Sequence, residues 1–349
     1  MKKGLFVTVI IALFLMLAAC GPKETTKDID KPDSDEPKTE VPKEEDEAPK
    51  EPEFAYTFPL TGKGTNDALN DRVVGVMVNN APKARPQSGL HKADVVYEVL
   101  AEGRITRFLA LFQSEKPEII GPVRSARDYY IRLSNGFDAI YVHHGWSPSA
   151  KNMLVGGNID SLNGLYYDGT LFKRASFRRA PHNSYITYEN IIKESKKQKY
   201  ELKQEIPSLP FLTEEEVKAV EGDPANTITI TYGKYYEVQY KYQPEKGMYI
   251  RFSDDIQTID RETEIPIELS NIFIAEATHQ VIDSAGRRRV DLESGGKALL
   301  FQQGKVQVVK WVNENGRIVP AAEGKKAAFA PGKTWINIVP AIDQDVKYN

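Results

Sequence analysis

Residues 93–113 read ADVVYEVLAEGRITRFLALFQ. Two runs rich in β-branched and aromatic side chains, Ala93–Ala101 and Ile105–Gln113, flank Glu102-Gly103-Arg104. Such side chains suit a pleated surface, and a short polar turn with glycine lets the chain double back. The stretch predicts a hairpin at the heart of a sheet. Upstream, Arg72–Asn80 (RVVGVMVNN) predicts a buried strand, and Asn79–Gly89, with Pro82 and Pro86, an irregular loop. Downstream, Ile119–Val123 and Ala139–Val142 read as short strands, and Ser125–Asn135 as a helix capped by Ser125. Ser147-Pro148 reads as the cap and first residue of a helix ending before Gly156-Gly157, and Thr187 as the cap of a lysine-rich helix at Tyr188–Lys199.

The character changes after Ile206-Pro207-Ser208-Leu209-Pro210. A short helix at Thr213–Glu221 carries a capping box, Thr213 with Glu216. From Asn226 onward short strands recur, at Thr227–Tyr232, Tyr235–Tyr242, Met248–Phe252, Asn271–Glu276, Ala298–Gln302, Val306–Val312 and Thr334–Val339. The expected fold class is α+β. A mixed α/β N-terminal domain with a central sheet occupies 54–210, and a mainly β C-terminal domain occupies 225–349, each with its own core.

Two further segments precede these. In residues 1–20, Lys2 and Lys3 lead a mostly apolar, uncharged run from Leu5 to Ala19, which ends Leu17-Ala18-Ala19-Cys20. The run is short for a membrane span, which needs about 20 residues, and has the length of a signal-peptide core. Its end resembles the lipobox of bacterial lipoproteins. That resemblance implies diacylglyceryl transfer to the Cys20 thiol, then cleavage before it, and a palmitate-type lipid anchor. Residues 21–53 form an acidic, proline- and lysine-rich stretch. Within 22–53, six lysines against thirteen acids leave a net charge of −7, with almost no aliphatic or aromatic side chain. Such a segment cannot bury enough surface to order itself, so it reads as a disordered tether of roughly 30 Å as a coil and about 105 Å fully extended. The whole chain carries −3. No global basicity points to nucleic acid. Cys20 is the only cysteine, which excludes a disulfide framework, a zinc-finger array or a cysteine-ligated cluster.

Candidate chemistry concentrates between 98 and 183. Glu98 and Glu102, four apart on one strand, would face the same side and could divide acid and base roles in glycan cleavage, or else Glu98 is buried against an arginine and Glu102 is a solvated turn residue. Arg104 and Arg107 follow across the turn. Arg124-Ser125-Ala126-Arg127 opens the expected helix, where free N–H groups and two guanidinium groups would favour a phosphate or carboxylate. His143 ends a strand, and His182 lies in Arg178-Arg179-Ala180-Pro181-His182-Asn183. The histidine spacing fits no metal motif, and neither a metal nor a cofactor is expected. The tyrosines at 232, 235, 236, 240, 242 and 249 suit sheet packing or a sugar-stacking face.

Several of these stretches carry a family resemblance. They are Asn79-Asn80, Ala84-Arg85-Pro86-Gln87-Ser88-Gly89-Leu90, Ala93-Asp94 with Tyr97-Glu98, Gly121-Pro122-Val123-Arg124-Ser125-Ala126-Arg127 and Pro181-His182-Asn183. In the second half they are Tyr249-Ile250-Arg251, Gly304-Lys305 with Trp311, and Pro331-Gly332-Lys333-Thr334-Trp335. Together they resemble the YerB-like lipoproteins of Gram-positive bacteria, a family defined by two domains of unknown function. The resemblance covers nearly the whole chain beyond the tether. Trp146, between Gly145 and Ser147, is bulkier than that loop would suggest. The resemblance implies a lipoprotein anchored through Cys20 at the outer face of the cytoplasmic membrane, and supplies no reaction. From the chemistry alone, the expected role is cell-envelope binding or scaffolding, with a wall polymer or envelope protein as partner and an anionic or glycan-like ligand. Arg104, Arg107, Arg124, Ser125, Arg127, His182 and Asn183 are its candidate contacts. The alternative is an envelope-remodelling glycan hydrolase with Glu98, Glu102 and His143 as catalytic candidates. On either reading the residues should line one net-positive site.

Overall fold

The computed structural model describes residues 54–233, 236–323 and 327–349. The expected signal peptide, Cys20 and the expected tether lie outside them. The first half contributes strands β1 (Val74–Asn79), β2 (Val95–Glu102), β3 (Ile105–Phe112), β4 (Ile140–His143) and β5 (Ser161–Asn163), with helices α1 (Asp128–Asn135), α2 (Pro148–Gly156) and α3 (Tyr188–Lys197). The second half contributes β6 (Thr227–Thr231), β7 (Glu237–Gln243), β8 (Met248–Ser253), β9 (Asn271–Glu276), β10 (Gly296–Gln302), β11 (Lys305–Glu314), β12 (Arg317–Ala321), β13 (Thr334–Val339) and β14 (Val346–Tyr348).

The hairpin read from residues 93–113 is β2–β3, and it lies inside an eleven-stranded mixed sheet. From one edge the order is Asp223–Pro224, β11, β10, β9, β13, β2, β3, β1, β4, β5, with β12 added beside β11. The seam between the halves is the parallel pair β13–β2, in register from Thr334 opposite Val95 to Ile338 opposite Val99. The change of character at 210–225 is therefore not a boundary between two cores. The described residues form one compact unit. An exposed β2 edge would leave its backbone donors and acceptors unpaired, and β13, more than 230 residues away in sequence, supplies the partners. The halves also touch where α1 ends: a Cβ on Gly136 would lie 2.5 Å from the Gly316 carbonyl carbon, so only glycine allows this approach.

Side-chain alternation along β2 and β3 feeds two cores. Val96, Leu100, Phe108 and Ala110 face a second sheet of six strands, ordered Ile256–Gln257, β8, β7, β6, β14 with Glu268–Leu269 beside β8. Val95, Tyr97, Val99, Leu109 and Leu111 face α1 and α2 on the other side. Burial on both faces is worth about 1.5–3 kcal/mol per large aliphatic side chain, which explains why β2 is almost continuously apolar. Tyr232, Tyr236, Tyr240 and Tyr249 are buried between the two sheets, so they are packing and not a sugar-stacking face.

Several local signals hold. Ser147 caps α2 by accepting from Ala150 N, Thr187 caps α3 by accepting from Asn190 N, and Thr213 with Glu216 forms the capping box. One does not. The helix after Val123 begins at Asp128, its N-cap is Arg127 without a side-chain bond, and Ser125 Oγ donates instead to His144 O at 3.1 Å. Among the described residues no helix is long and apolar enough to cross a membrane.

Candidate functional site

Glu98 sits in the middle of β2 with no solvent exposure. Its Oε2 accepts from Arg251 Nη2 at 2.8 Å and Trp335 Nε1 at 3.0 Å. Its Oε1 accepts from Thr106 Oγ1 at 2.8 Å, Tyr236 OH at 2.9 Å and Asn80 Nδ2 at 3.2 Å. Arg251, equally buried, donates to Ser253 Oγ and Thr258 Oγ1, and its guanidinium lies 4.6 Å from the centre of the Trp335 ring. Burial is the largest single influence and opposes its charge, but Glu98, Tyr236 and Tyr240 together outweigh it and hold its pKa above the ordinary value. Every lone-pair direction of Glu98 is taken. A general acid must reach a substrate oxygen, so Glu98 is a buried ion pair joining β2 to the second half and not a catalytic carboxylate.

Glu102 does not accompany it. The register of β2 against β3 steps from Leu100 opposite Thr106 to Glu102 opposite Ile105, leaving Ala101 as an extra residue. A bulge shifts the alternation by one. Glu98 therefore faces the second sheet, while Glu102 shares the opposite face with Arg107. There Glu102 pairs with Arg107 Nη2 at 2.6 Å and with Arg127 Nη2. Arg107 also donates to Ser125 O at 2.8 Å, and both arginines are buried. The expected carboxylate pair does not converge.

His143 is wholly buried on β4. Burial is the main cause that pushes its pKa down to about 4, so it stays neutral, with Nδ1 bonded to Gly145 O at 2.8 Å. Its ring packs between Tyr141 and Trp146, at centroid distances of 5.3 and 5.8 Å. It is an interior aromatic group and no acid–base catalyst. The same stacking accounts for Trp146. That side chain closes over His143 and meets Tyr166, 6.0 Å away and 71% exposed.

Arg124 has a different environment. Its N–H donates to Met77 O at 2.8 Å, and its carbonyl accepts from His144 N at 3.0 Å. The segment is therefore extended backbone laid beside the ends of β1 and β4, not the free N-terminus of a helix. Its side chain is half-buried, and among the described residues its guanidinium has no ion-pair or hydrogen-bond partner. Burial first, and the neighbouring Arg107 second, push its pKa down to about 10. His182, reached by a 2.9 Å bond from Asn79 Nδ2, is held below the ordinary histidine range by partial burial and by Arg124, Lys83 and Arg178. His144 is lowered by burial, then by Arg174. Arg174 Nη2 donates to His144 Nε2 at 3.0 Å, so Nδ1 carries the ring proton and donates to Ser184 Oγ at 2.8 Å. Arg174 also pairs with Asp168 at 2.9 Å and donates to Asn183 Oδ1 at 3.2 Å.

The structure thus assembles Arg124, His182 and Asn183 with His144, Lys83, Arg174 and Arg178. It places Arg107 and Arg127 behind them, neutralised by Glu102, and Ser125 within the backbone that carries them. Arg104 stands apart on the exposed β2–β3 turn, its side chain against Gly233. Lys83 and Arg174 escaped the sequence reading; Lys83 lies in the Asn79–Gly89 loop already singled out, whereas nothing local marks Arg174. The group is an array of cations around the Arg124 guanidinium, with Trp146 and, from the short helix Gly164–Tyr167, Tyr166 as an aromatic pair nearby. Ala126 and Trp146 are bridged directly, and Gly145 between His144 and Trp146 adopts φ +86°, where a Cβ would also press on Ser125 Oγ at 3.0 Å. Such an array can hold an anion; it shows no free carboxylate for hydrolysis.

A mixed sheet backed by a β-rich second layer, with a cationic loop surface at one part of its rim, defines a structural class without an assigned chemistry. The chain belongs to the family described as proteins of unknown function DUF3048: residues 60–201 match its N-terminal domain and residues 228–336 its C-terminal domain. It is similar to "Putative lipoprotein YerB" of Bacillus subtilis (strain 168), with 48% identity over 350 residues, covering 98% of this chain and 97% of that protein. It is also similar to the crystal structure of the YerB protein from Bacillus subtilis, with a TM-score of 0.78 and 52% identity, covering 84% of this chain and 99% of the crystallised one.

Proposed function

We propose that the protein is a lipoprotein, acylated at Cys20 and held at the outer face of the cytoplasmic membrane, whose folded part binds an anionic, sugar-containing polymer of the cell envelope at the Arg124 surface. The name of the Bacillus subtilis relative and the lipobox-like end of the first segment support the anchor. The observation that carries the binding role is the half-buried Arg124 guanidinium with no anionic partner among the described residues. Partial desolvation of a cation is costly unless something repays it, and a ligand phosphate or carboxylate would do so. The exposed Tyr166 beside Trp146 offers a face on which a sugar ring can stack. A binding or scaffold role fits better than turnover, because Glu98 is saturated and Glu102 is held between two arginines.

The test is titration of residues 54–349 with solubilised cell-wall polymer fragments, following both affinity and product formation. Inorganic phosphate serves as competitor. Arg124→Ala should weaken binding by about 1.5–3 kcal/mol, the worth of a charge-assisted bond, and no product should form. Unchanged affinity in Arg124→Ala would remove the site. Fatty-acid labelling of the full chain, with Cys20→Ser as control, tests the anchor separately.

A further inference from the structure

The hairpin formed by His279–Val281 and Arg288–Val290 belongs to neither large sheet. Its tip, Ile282 to Arg287, closes by a 2.8 Å bond from Ile282 N to Arg287 O. The tip abuts the β2–β3 turn: Arg288 Nη2 donates to Gly103 O at 2.6 Å, and a Cβ on Gly286 would lie 3.1 Å from Gly103 N. Two turns from opposite halves of the chain thus meet, and what they expose is unusual in combination. Val281, Ile282 and Ile105 are 54%, 47% and 45% exposed. On the same two hairpins Arg104 and Arg289 are exposed, while Arg287 and Arg288 are half-buried. Asp283, paired to Arg287 at 2.9 Å, is the acid within the tip.

Single exposed aliphatic side chains are ordinary on a protein surface. Three of them at a pair of touching turns, with arginines on the same hairpins, form an amphipathic edge that the folded domain leaves uncovered. We infer that this edge docks the domain on an anionic lipid bilayer, with the arginines on the headgroups and Val281, Ile282 and Ile105 dipping toward the acyl boundary. The acidic segment 22–53 of the same chain is a second polyanion, with a net charge of −7, but it carries almost no apolar side chain to use the aliphatic half of the edge. A bilayer uses both halves. Docking of this kind is separate from the Arg124 surface and from acylation at Cys20. It would set which side of the domain faces the membrane once the lipid anchor has brought it there.

The experiment uses residues 54–349, which lack Cys20; the crystallised relative matches 84% of this chain and 99% of its own, so the corresponding part folds without the preceding segments. Cosedimentation is measured with vesicles of phosphatidylcholine alone and with vesicles containing phosphatidylglycerol. The expected result is binding to the anionic vesicles only, weakening as salt rises. Arg289→Ala should cost roughly fivefold in partitioning, the effect of one arginine near an anionic surface. Ile282→Ser should weaken binding at unchanged charge, and Lys193→Ala, an exposed lysine on α3, should leave it unaltered, with thermal unfolding confirming that each variant is folded. No binding to phosphatidylglycerol vesicles would overturn the inference. So would equal losses in Arg289→Ala and Lys193→Ala, which would indicate a diffuse charge effect. If a synthetic peptide of residues 22–53 binds this edge and Ile282→Ser changes no vesicle binding, the occupant is the acidic segment and the bilayer assignment fails.

Discussion

Arg251 and Arg124 belong to the same fold and carry the same charge, but their surroundings differ in one respect. Arg251 is wholly buried and meets Glu98, Ser253, Thr258 and the Trp335 ring, so its charge is fully compensated. Arg124 is half-buried, lies beside another arginine, and meets no acid among the described residues. The first arrangement stabilises the assembly of the two halves. The second leaves a cation that only something outside the domain can satisfy. A buried charge paired with an opposite charge is thus architecture, whereas a partly desolvated charge without one marks a place where a ligand would be stabilising.

Separating the halves should do the most damage. Expressed alone, 54–210 would expose the β2 edge that β13 covers and would strand Glu98 without Arg251 and Trp335. Neither 54–210 nor 225–349 should unfold cooperatively by itself, while co-expression should restore a complex; circular dichroism melts decide it. Next in size is Glu98→Ala, which leaves the buried Arg251 uncompensated and should cost about 3–5 kcal/mol in denaturant unfolding. Pairing Glu98→Leu with Arg251→Met should recover most of that loss, because two apolar side chains need no partner. A cost in the double variant equal to the single one would mean that the ion pair itself is stabilising.

A third test contrasts interior and surface through pH. His143 has its folded pKa depressed to about 4 by burial. The unfolded chain therefore binds the proton first, and the stability that the neutral ring contributes is present above about pH 6.5 and is lost as pH falls through 4. At about 1.36 kcal/mol per unit, the loss should reach roughly 3 kcal/mol. His143→Phe should flatten the pH dependence between 7 and 4, as measured by urea midpoints at both ends. The smallest effect belongs to Arg124. Because its guanidinium makes no bond that the fold uses, Arg124→Ala should change stability by less than about 0.5 kcal/mol, the range of surface substitutions. A loss above 2 kcal/mol would place Arg124 with Arg251 and erase the distinction.

The sequence by itself determined what depends on neighbours a few residues away. Periodic apolar runs set the strands, including β2 and β3, because alternation decides which surface a strand can bury. Ser147, Thr187 and Thr213 set helix starts, because a cap needs only a hydroxyl three residues before the N–H it satisfies. The clustered arginines and histidines between 124 and 182 pointed to a cationic surface, and Arg124, His182 and Asn183 are part of one. Long-range pairing decided the rest. The partner of Glu98 is 153 residues away, and the strand beside β2 begins at Thr334, so no local pattern could show that the two halves share a sheet. One extra residue, Ala101, turned Glu98 and Glu102 to opposite faces, since a strand's period of two converts a single insertion into a complete reversal of side. Only once the strands are assembled is it settled which charges are neutralised inside, and that the half-buried Arg124 meets no acid among the described residues.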